Sequence, residues 1–105
     1  MKHEAQHAKD LAVYPEMSPT DLEYRAKLVE LIYSIERNLL EQFIYEADVS
    51  KDINGHALAA NRIVAKFAKM TSKNLLELSI GEIQSISRKL LEQSNVEMLI
   101  KYSGK

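Results

Sequence analysis

Helical periodicity is the feature that most constrains the fold of this chain. Apolar residues recur every three to four positions, and nowhere do they alternate with polar residues over the length of a strand. One such stripe contains Leu28, Ile32, Ile35, Leu39 and Phe43. Only three glycines and two prolines interrupt the 105 residues. The pattern predicts an all-α protein, because a sheet with one buried face requires a two-residue repeat.

Capping signals set the predicted helix boundaries. Pro15 ends the first helix, Ser18 is an N-cap for the second, and Ser79 with Glu82 forms a capping box for the last. The predicted helices cover about residues 4–13, 18–47, 56–71 and 79–94, followed by a tail at 95–105. Because short connections favour antiparallel neighbours, we expect residues 1–105 to form a single domain, an antiparallel four-helix bundle with a C-terminal tail.

The tail is unusually apolar for a chain terminus. It contains Val96, Met98, Leu99, Ile100 and Tyr102. Two interpretations stay open from the sequence alone. The tail either closes the bundle as a strap over its open edge, or serves as a recognition segment.

A basic ridge is the strongest candidate for a binding surface. Arg62, Lys66, Lys69 and Lys73 are spaced so that, at 100° per residue, they fall within roughly 60° of one another on a helix. Such a row is often only a solvated face. The functional alternatives are contact with an anionic membrane surface or membrane-protein partner, and contact with nucleic acid.

The charge distribution distinguishes the two halves of the chain. Residues 1–50 hold five Lys or Arg and ten Asp or Glu, whereas residues 51–105 hold nine and five. The formal net charge is −1 and the sequence pI is about 6.3. A slightly acidic chain without aromatic residues interleaved in its basic ridge argues against nucleic acid, which leaves an anionic membrane surface or a membrane-protein partner.

No arrangement of residues in the sequence predicts catalysis. His3 and His7 match H-E-x-x-H, but they lie at a chain terminus with no surrounding core, so adventitious metal binding is the more reasonable interpretation. No nucleophile–base pair or glycine-rich phosphate loop is visible. We therefore expect a protein that is not an enzyme and that has no catalytic residues, cofactor or metal site.

The sequence also bears on location. The chain has no cysteine, residues 1–10 lack an apolar signal-peptide core, and every apolar run is far shorter than the roughly 20 residues that span a bilayer. We expect a cytoplasmic protein without a transmembrane segment of its own.

Taken together, scattered residues along most of the chain resemble the immunity proteins that protect lactic acid bacteria against pediocin-like (class IIa) bacteriocins, the enterocin A immunity family. The matching features are the Met1-Lys2 start, the helix end at Leu11 to Tyr14, the stretch Leu28-Val29-x-Leu31-Ile32-Tyr33, the segment Asn61-Arg62-Ile63-Val64, the Lys73-Asn74 turn, and Ser79, Ile86, Leu90, Leu91, Asn95 and Tyr102. The His3–His7 pair is not part of the family pattern.

The resemblance implies a function without chemistry. Members are cytoplasmic antiparallel four-helix bundles that act on the mannose phosphotransferase permease, the receptor of the toxin, when the bacteriocin occupies it. Toxin specificity in the family maps to the C-terminal half. For this chain that half contains the basic ridge and Tyr102, so we expect Arg62, Lys66, Lys69, Lys73 and Tyr102 to contact the partner.

Alternatives of other classes remain. The chain could be a small helical interaction or regulatory module that pairs through its apolar surfaces, although we expect a monomer. A nucleic-acid-binding regulator that uses the basic ridge is a weaker alternative, and a zinc hydrolase built on His3 and His7 is the weakest.

Overall fold

Five α-helices build the part of the chain that the structure describes. The computed structural model describes residues 2–35, 38–49 and 56–103, with side chains for residues 4–35, 38–47 and 58–102. The helices are α1 (Lys2–Val13), α2 (Pro19–Tyr33), α3 (Asn38–Val49), α4 (His56–Met70) and α5 (Ile80–Ser103), with a 3₁₀ turn at Leu75–Glu77 between the last two. The predicted all-α class is confirmed, with five helices where four were predicted.

Both predicted N-caps are present. At the start of α2, the backbone N–H of Asp21 donates to Ser18 Oγ at 3.1 Å. At the start of α5, Glu82 N–H donates to Ser79 Oγ at 3.1 Å, and Ser79 N–H donates to Glu82 Oε1 at 3.0 Å. These reciprocal bonds are those of a capping box, as the sequence predicted.

The predicted continuous helix over 18–47 is wrong, because α2 ends at Tyr33 and α3 begins at Asn38. Ser34 adopts an extended conformation, with φ −80° and ψ 139°, and its carbonyl accepts from Gln84 Nε2 at 3.1 Å. An unbroken helix of that length would measure roughly 45 Å, whereas the longest extent of the molecule is 41 Å. The break allows α3 to fold back and pack on α4.

The predicted C-terminal tail is also wrong over the described residues, because α5 continues without interruption to Ser103. Ser94 and Met98 lie one turn apart and are both buried, at 1% and 3% exposure. Asn95, where the tail was expected to begin, accepts a hydrogen bond from Arg25. These contacts hold the segment as helix against α2. A strap that closes the bundle therefore describes the segment better than a recognition segment does.

The central element is α2, which packs against α1, α4 and α5, while α3 packs on α4. The core cluster consists of Tyr24, Leu28, Leu31, Leu40, Phe43, Ala59, Ile63, Phe67, Leu78, Ile83, Ile86 and Leu90. Ten of the fifteen residues of α2 are buried. Being surrounded on several sides, α2 buries polar as well as apolar side chains.

Contacts between α2 and α5 run in opposite order along the two helices. Ser18, before α2, meets Tyr102 near the end of α5, Arg25 meets Ser94, and Ser34 meets Gln84 near the start of α5. The last two turns of α5 therefore lie beside the beginning of α2, which places the predicted partner residue Tyr102 next to the first turn of that helix.

Candidate functional site

A buried carboxylate, Asp21, joins three helices. It is 1% exposed, and it accepts hydrogen bonds from Arg62 of α4 at 2.8 Å and from Lys101 and Tyr102 of α5 at 2.8 and 2.5 Å. Burial alone would raise the pKa of Asp21, but these three hydrogen bonds outweigh it and hold the pKa well below the usual 3.8. The hydrogen bond from Lys101 to Asp21 correspondingly raises the pKa of that lysine.

Tyr102 is anchored rather than free. Its hydroxyl donates to Asp21, accepts from the backbone N–H of Ser18 at 3.1 Å, and its ring lies 5.8 Å from that of Tyr14, centre to centre. The predicted partner residue thus serves first to fix the end of α5 against α2 and the end of α1. A partner would meet the edge of its half-buried ring.

A second buried charge, Arg25, joins α1, α2 and α5. Its Nε donates to Asp10 at 3.0 Å, one terminal nitrogen donates to Ser94 at 2.9 Å, and the other donates to Asn95 at 2.8 Å. Gln6 donates to the second oxygen of Asp10 at 2.9 Å. The guanidinium uses its forked geometry to bind three acceptors at once, which a lysine does not offer.

The sequence analysis missed the burial of charges on α2. Glutamate and lysine are exposed in most proteins, yet Glu23 and Lys27 are only 7% and 4% exposed. His7 Nε2 lies 3.0 Å from Glu23, whereas Lys27 Nζ donates to Glu46 at 3.0 Å and lies 4.3 Å from the centre of the Phe43 ring. The sequence does show a charged residue at every second position from Asp21 to Lys27. It does not show that these residues are buried, because their partners are distant in sequence.

The basic ridge does not form an uninterrupted positive surface. Arg62 is bound to Asp21 and covers the ring of Tyr24 at 5.1 Å, and burial raises the pKa of that tyrosine to about 12. Lys66 lies 3.8 Å from a carboxylate oxygen of Glu97.

The remaining two ridge residues differ from each other. Lys73 follows the end of α4 and is not on the helix at all. It donates to Glu82 at 2.7 Å, which lowers the pKa of that carboxyl to about 2. Lys69 is exposed on α4. The structure thus brings acidic side chains to three of the four residues of the basic ridge, which reduces its positive potential.

An apolar groove lies between the ends of α1 and α5. Both helices pack on α2, but the described residues show little backbone contact between them. The space consists of two adjoining hollows of about 380 and 490 Å³ that share Val13, Tyr14 and Leu99. The first is further lined by Lys9, Asp10, Arg25, Asn95 and Val96, and the second by Pro15, Glu16 and Tyr102. We call this space the α1–α5 groove.

Large aliphatic side chains are exposed along this groove. Val13, Val96 and Leu99 are 60%, 58% and 59% exposed, and Ile100, beside them on α5, is 74% exposed. Val96, Leu99 and Ile100 share one helical face, since positions three and four apart are neighbours. An exposed aliphatic cluster at the wall of a groove is typical of a binding surface.

The described residues contain no cluster of side chains suited to binding a metal ion. None of them form a group of three or more His, Cys, Asp or Glu side chains that could hold a metal ion. The side chain of His3 lies outside the described residues, while His7 faces Glu23. Within the same ranges, no helix is both long enough and apolar enough to cross a membrane.

Comparison of the chain with protein-family models, with curated proteins and with solved structures finds no match. The candidate site is therefore defined by its own geometry: the α1–α5 groove, with Asp21 and Arg25 fixing the helices that form its walls and floor.

Proposed function

We propose that this chain is an immunity protein that protects a cell against a pediocin-like pore-forming bacteriocin. It would act from the cytoplasmic side, by binding the mannose phosphotransferase permease when the toxin occupies it. The proposal rests on the resemblance in sequence. The all-α structure and the exposed apolar α1–α5 groove are compatible with it. In this proposal the protein works by binding and catalyses no reaction.

The observation that carries the proposal is the exposed aliphatic face at the end of α5. Val96, Leu99 and Ile100 lie in the C-terminal half, where the resemblance places toxin specificity. Their helix is fixed to α2 through Asp21 and Arg25. A rigid apolar face in that half is the kind of surface that specific recognition of a partner requires.

The finer architecture is part of the proposal. We propose that α2, α4 and α5, with α1 packed on α2 and α3 packed on α4, form an antiparallel bundle like that of the family that the chain resembles. The opposite order of contacts along α2 and α5 supports it. The connections between the described helices of this chain are short, which favours the same arrangement.

A helical interaction module of another pathway is the second candidate, and it would use the same groove. The nucleic-acid alternative loses support, because Asp21, Glu97 and Glu82 lie beside three of the four ridge residues. Phosphate binding would have to compete with these ion pairs.

The test is expression of the chain in a strain that is sensitive to pediocin-like peptides. Cells that express it should survive a several-fold higher concentration of at least one peptide in a panel, and should retain intracellular potassium during the challenge. Confirmed expression without protection against any peptide would contradict the proposal.

Two leucine variants provide a matched comparison in the same assay. Leu99 and Leu58 are both 59% exposed, but only Leu99 lines the groove. Leu99→Asp should abolish protection, whereas Leu58→Asp should preserve it. Equal effects of the two variants, at equal expression, would argue against the end of α5 as the contact surface.

A further inference from the structure

The end of α5 is attached to α2 around one carboxylate. Met98 is buried, at 3% exposure, but the next three side chains are exposed and that of Tyr102 is half-buried. Lys101 and Tyr102 donate hydrogen bonds to Asp21, and the tyrosine hydroxyl also accepts one from the backbone just before α2. We call residues 99–103, which end the described helix, the C-terminal turn.

The two oxygens of Asp21 divide its partners between two helices. Arg62 of α4 donates to Oδ1 at 2.8 Å, whereas Lys101 and Tyr102 of α5 both donate to Oδ2. If the C-terminal turn separates from α2, water can reach Oδ2 while the ion pair with Arg62 persists. A buried carboxylate that loses every partner is far more costly, so this division allows the turn to open while α4 stays in place.

The preceding part of α5 is attached by other contacts. Ser94 and Asn95 accept hydrogen bonds from Arg25, Met98 is buried, and Leu90 belongs to the core cluster. The change from a buried to a mainly exposed helix therefore falls after Met98. A segment that opens from this point breaks few buried apolar contacts, which is the condition for opening at a lower free energy than global unfolding.

The C-terminal turn also forms part of the α1–α5 groove. Leu99 lines both hollows, and Tyr102 lines the second, which α1 borders with Val13. The ring of Tyr102 lies 5.8 Å from that of Tyr14, centre to centre. Separation of the turn from α2 removes Leu99 and Tyr102 from the groove, so docking of the turn decides whether this end of the groove is formed.

From these observations we infer that the C-terminal turn opens and closes as a unit separate from the rest of the fold, and that the hydroxyl of Tyr102 on Asp21 sets the fraction of molecules in which the turn is closed. The structure shows the closed form, in which the groove has its α5 wall. A partner that contacts Leu99 binds this form and shifts the population towards it. That last step rests on the proposed function, whereas the opening itself does not.

The first experiment asks whether the turn opens separately from global unfolding, by native-state hydrogen exchange of the full chain followed by NMR. Ile63→Val weakens the core on α4 and should accelerate exchange of the Leu90 amide roughly two- to tenfold. The amides of Lys101 and Tyr102 should keep the wild-type rate, because Ile63 stays packed when the turn opens. Equal acceleration at the turn and at Leu90 would overturn the inference.

The second experiment tests the hydroxyl. Tyr102→Phe keeps the ring beside Tyr14 but removes both hydrogen bonds of the hydroxyl. Exchange of the Lys101 amide should accelerate roughly tenfold or more. The control is Tyr45→Phe at an exposed tyrosine of α3, which should leave that rate unchanged. An unchanged rate in Tyr102→Phe would also overturn the inference, because the turn would then open independently of Asp21.

Failure of the inference can be distinguished from failure of the proposed function. If Tyr102→Phe accelerates exchange at the turn and Ile63→Val does not, but the wild-type chain protects against no bacteriocin, the inference is retained and the proposed function is removed. If the wild-type chain protects, but exchange at the turn follows that of Leu90 in Ile63→Val, the proposed function is retained and the inference is removed.

Discussion

Asp21 is the side chain on which the position of the C-terminal turns depends. Its two oxygens receive three donors from two other helices, and its backbone N–H takes part in the N-cap of α2. A buried carboxylate is unfavourable without such partners. Asp21 thus couples the N-cap of α2 to the packing of the end of α5.

Replacing this carboxylate by an amide should destabilise the protein. In Asp21→Asn the side-chain NH₂ would face Lys101 or Tyr102, both of which donate hydrogen bonds to the native carboxylate. We expect the free energy of unfolding in urea to fall by about 1.5–3 kcal/mol. Glu82→Gln, which weakens the solvent-exposed bond to Lys73, should cost much less, because water screens that ion pair. Equal losses in the two variants would contradict the role given to Asp21.

Acid should remove the contribution of Asp21. Because its pKa is lower in the folded protein than the usual 3.8, the unfolded chain binds the proton first as the pH falls. The stabilisation is therefore complete above about pH 5 and declines below it. Between about pH 5 and pH 2.5, the free energy of unfolding of wild type should fall more steeply than that of Asp21→Asn. Parallel pH profiles in urea denaturation would be the contrary result.

At the residue scale, caps were predictable from the sequence and buried charges were not. The bonds of Ser18 and of Ser79 with Glu82 span three residues, so the sequence contains both partners. Arg25 and Asp21 meet partners 15 to 81 positions away. A charged residue is exposed in most proteins, and only the tertiary arrangement shows that these are buried.

At the scale of elements, Arg25 holds α1 and α5 onto α2. Arg25→Lys retains the positive charge but loses the fork, so Asp10, Ser94 and Asn95 no longer all have a donor. We expect a loss of about 2–4 kcal/mol in the free energy of unfolding, measured in urea. Arg88→Lys on the exposed side of α5 is the matched control, and a loss under about 0.5 kcal/mol at Arg25 would refute this account.

The helical conformation of all five described α-helices was predictable, but the end of α2 and the end of α5 were not. Apolar spacing continues from Ile32 through Ile35 to Leu39, so periodicity alone runs across the break. Just after α2 ends, the carbonyl of Ser34 accepts a hydrogen bond from Gln84, fifty residues later. In α5, Asn95 was read as the end of the helix, although it is an acceptor for Arg25. Tertiary contacts overrode local signals at both places.

At the scale of the whole molecule, the C-terminal segment is a structural component of the fold. Removing residues 95–105 would delete buried Met98 and leave Asp21 and Arg25 without several partners. Each loss costs several kcal/mol, and the total approaches the stability of a domain, about 5–15 kcal/mol. We expect circular dichroism to show no cooperative thermal transition, whereas removal of residues 104–105 alone should preserve it. A cooperative transition in the longer deletion would show that residues 1–94 fold without the last turns of α5.

Of the five predicted contact residues, Tyr102 alone lines the α1–α5 groove. The sequence pointed to the C-terminal half and to Tyr102, which does border the groove. The sequence did not indicate that α1 supplies Val13 and Tyr14, because α1 and α5 are brought to the same side of α2 through Arg25, whose partners are distant in sequence. The basic ridge was predicted from helical spacing alone. Helical spacing does not show which acidic side chains other helices place beside it.

The sequence separation between Asp21 and its partners affects synthesis on the ribosome. Lys101 and Tyr102 follow this carboxylate by 80 and 81 residues, which at 5–20 residues per second is a delay of roughly 4–16 s. During that interval Asp21 has Arg62 but lacks Lys101 and Tyr102, its two partners on α5. The order of translation thus postpones closure of the fold until its last turns emerge, and it leaves a window in which chaperones would meet an open intermediate.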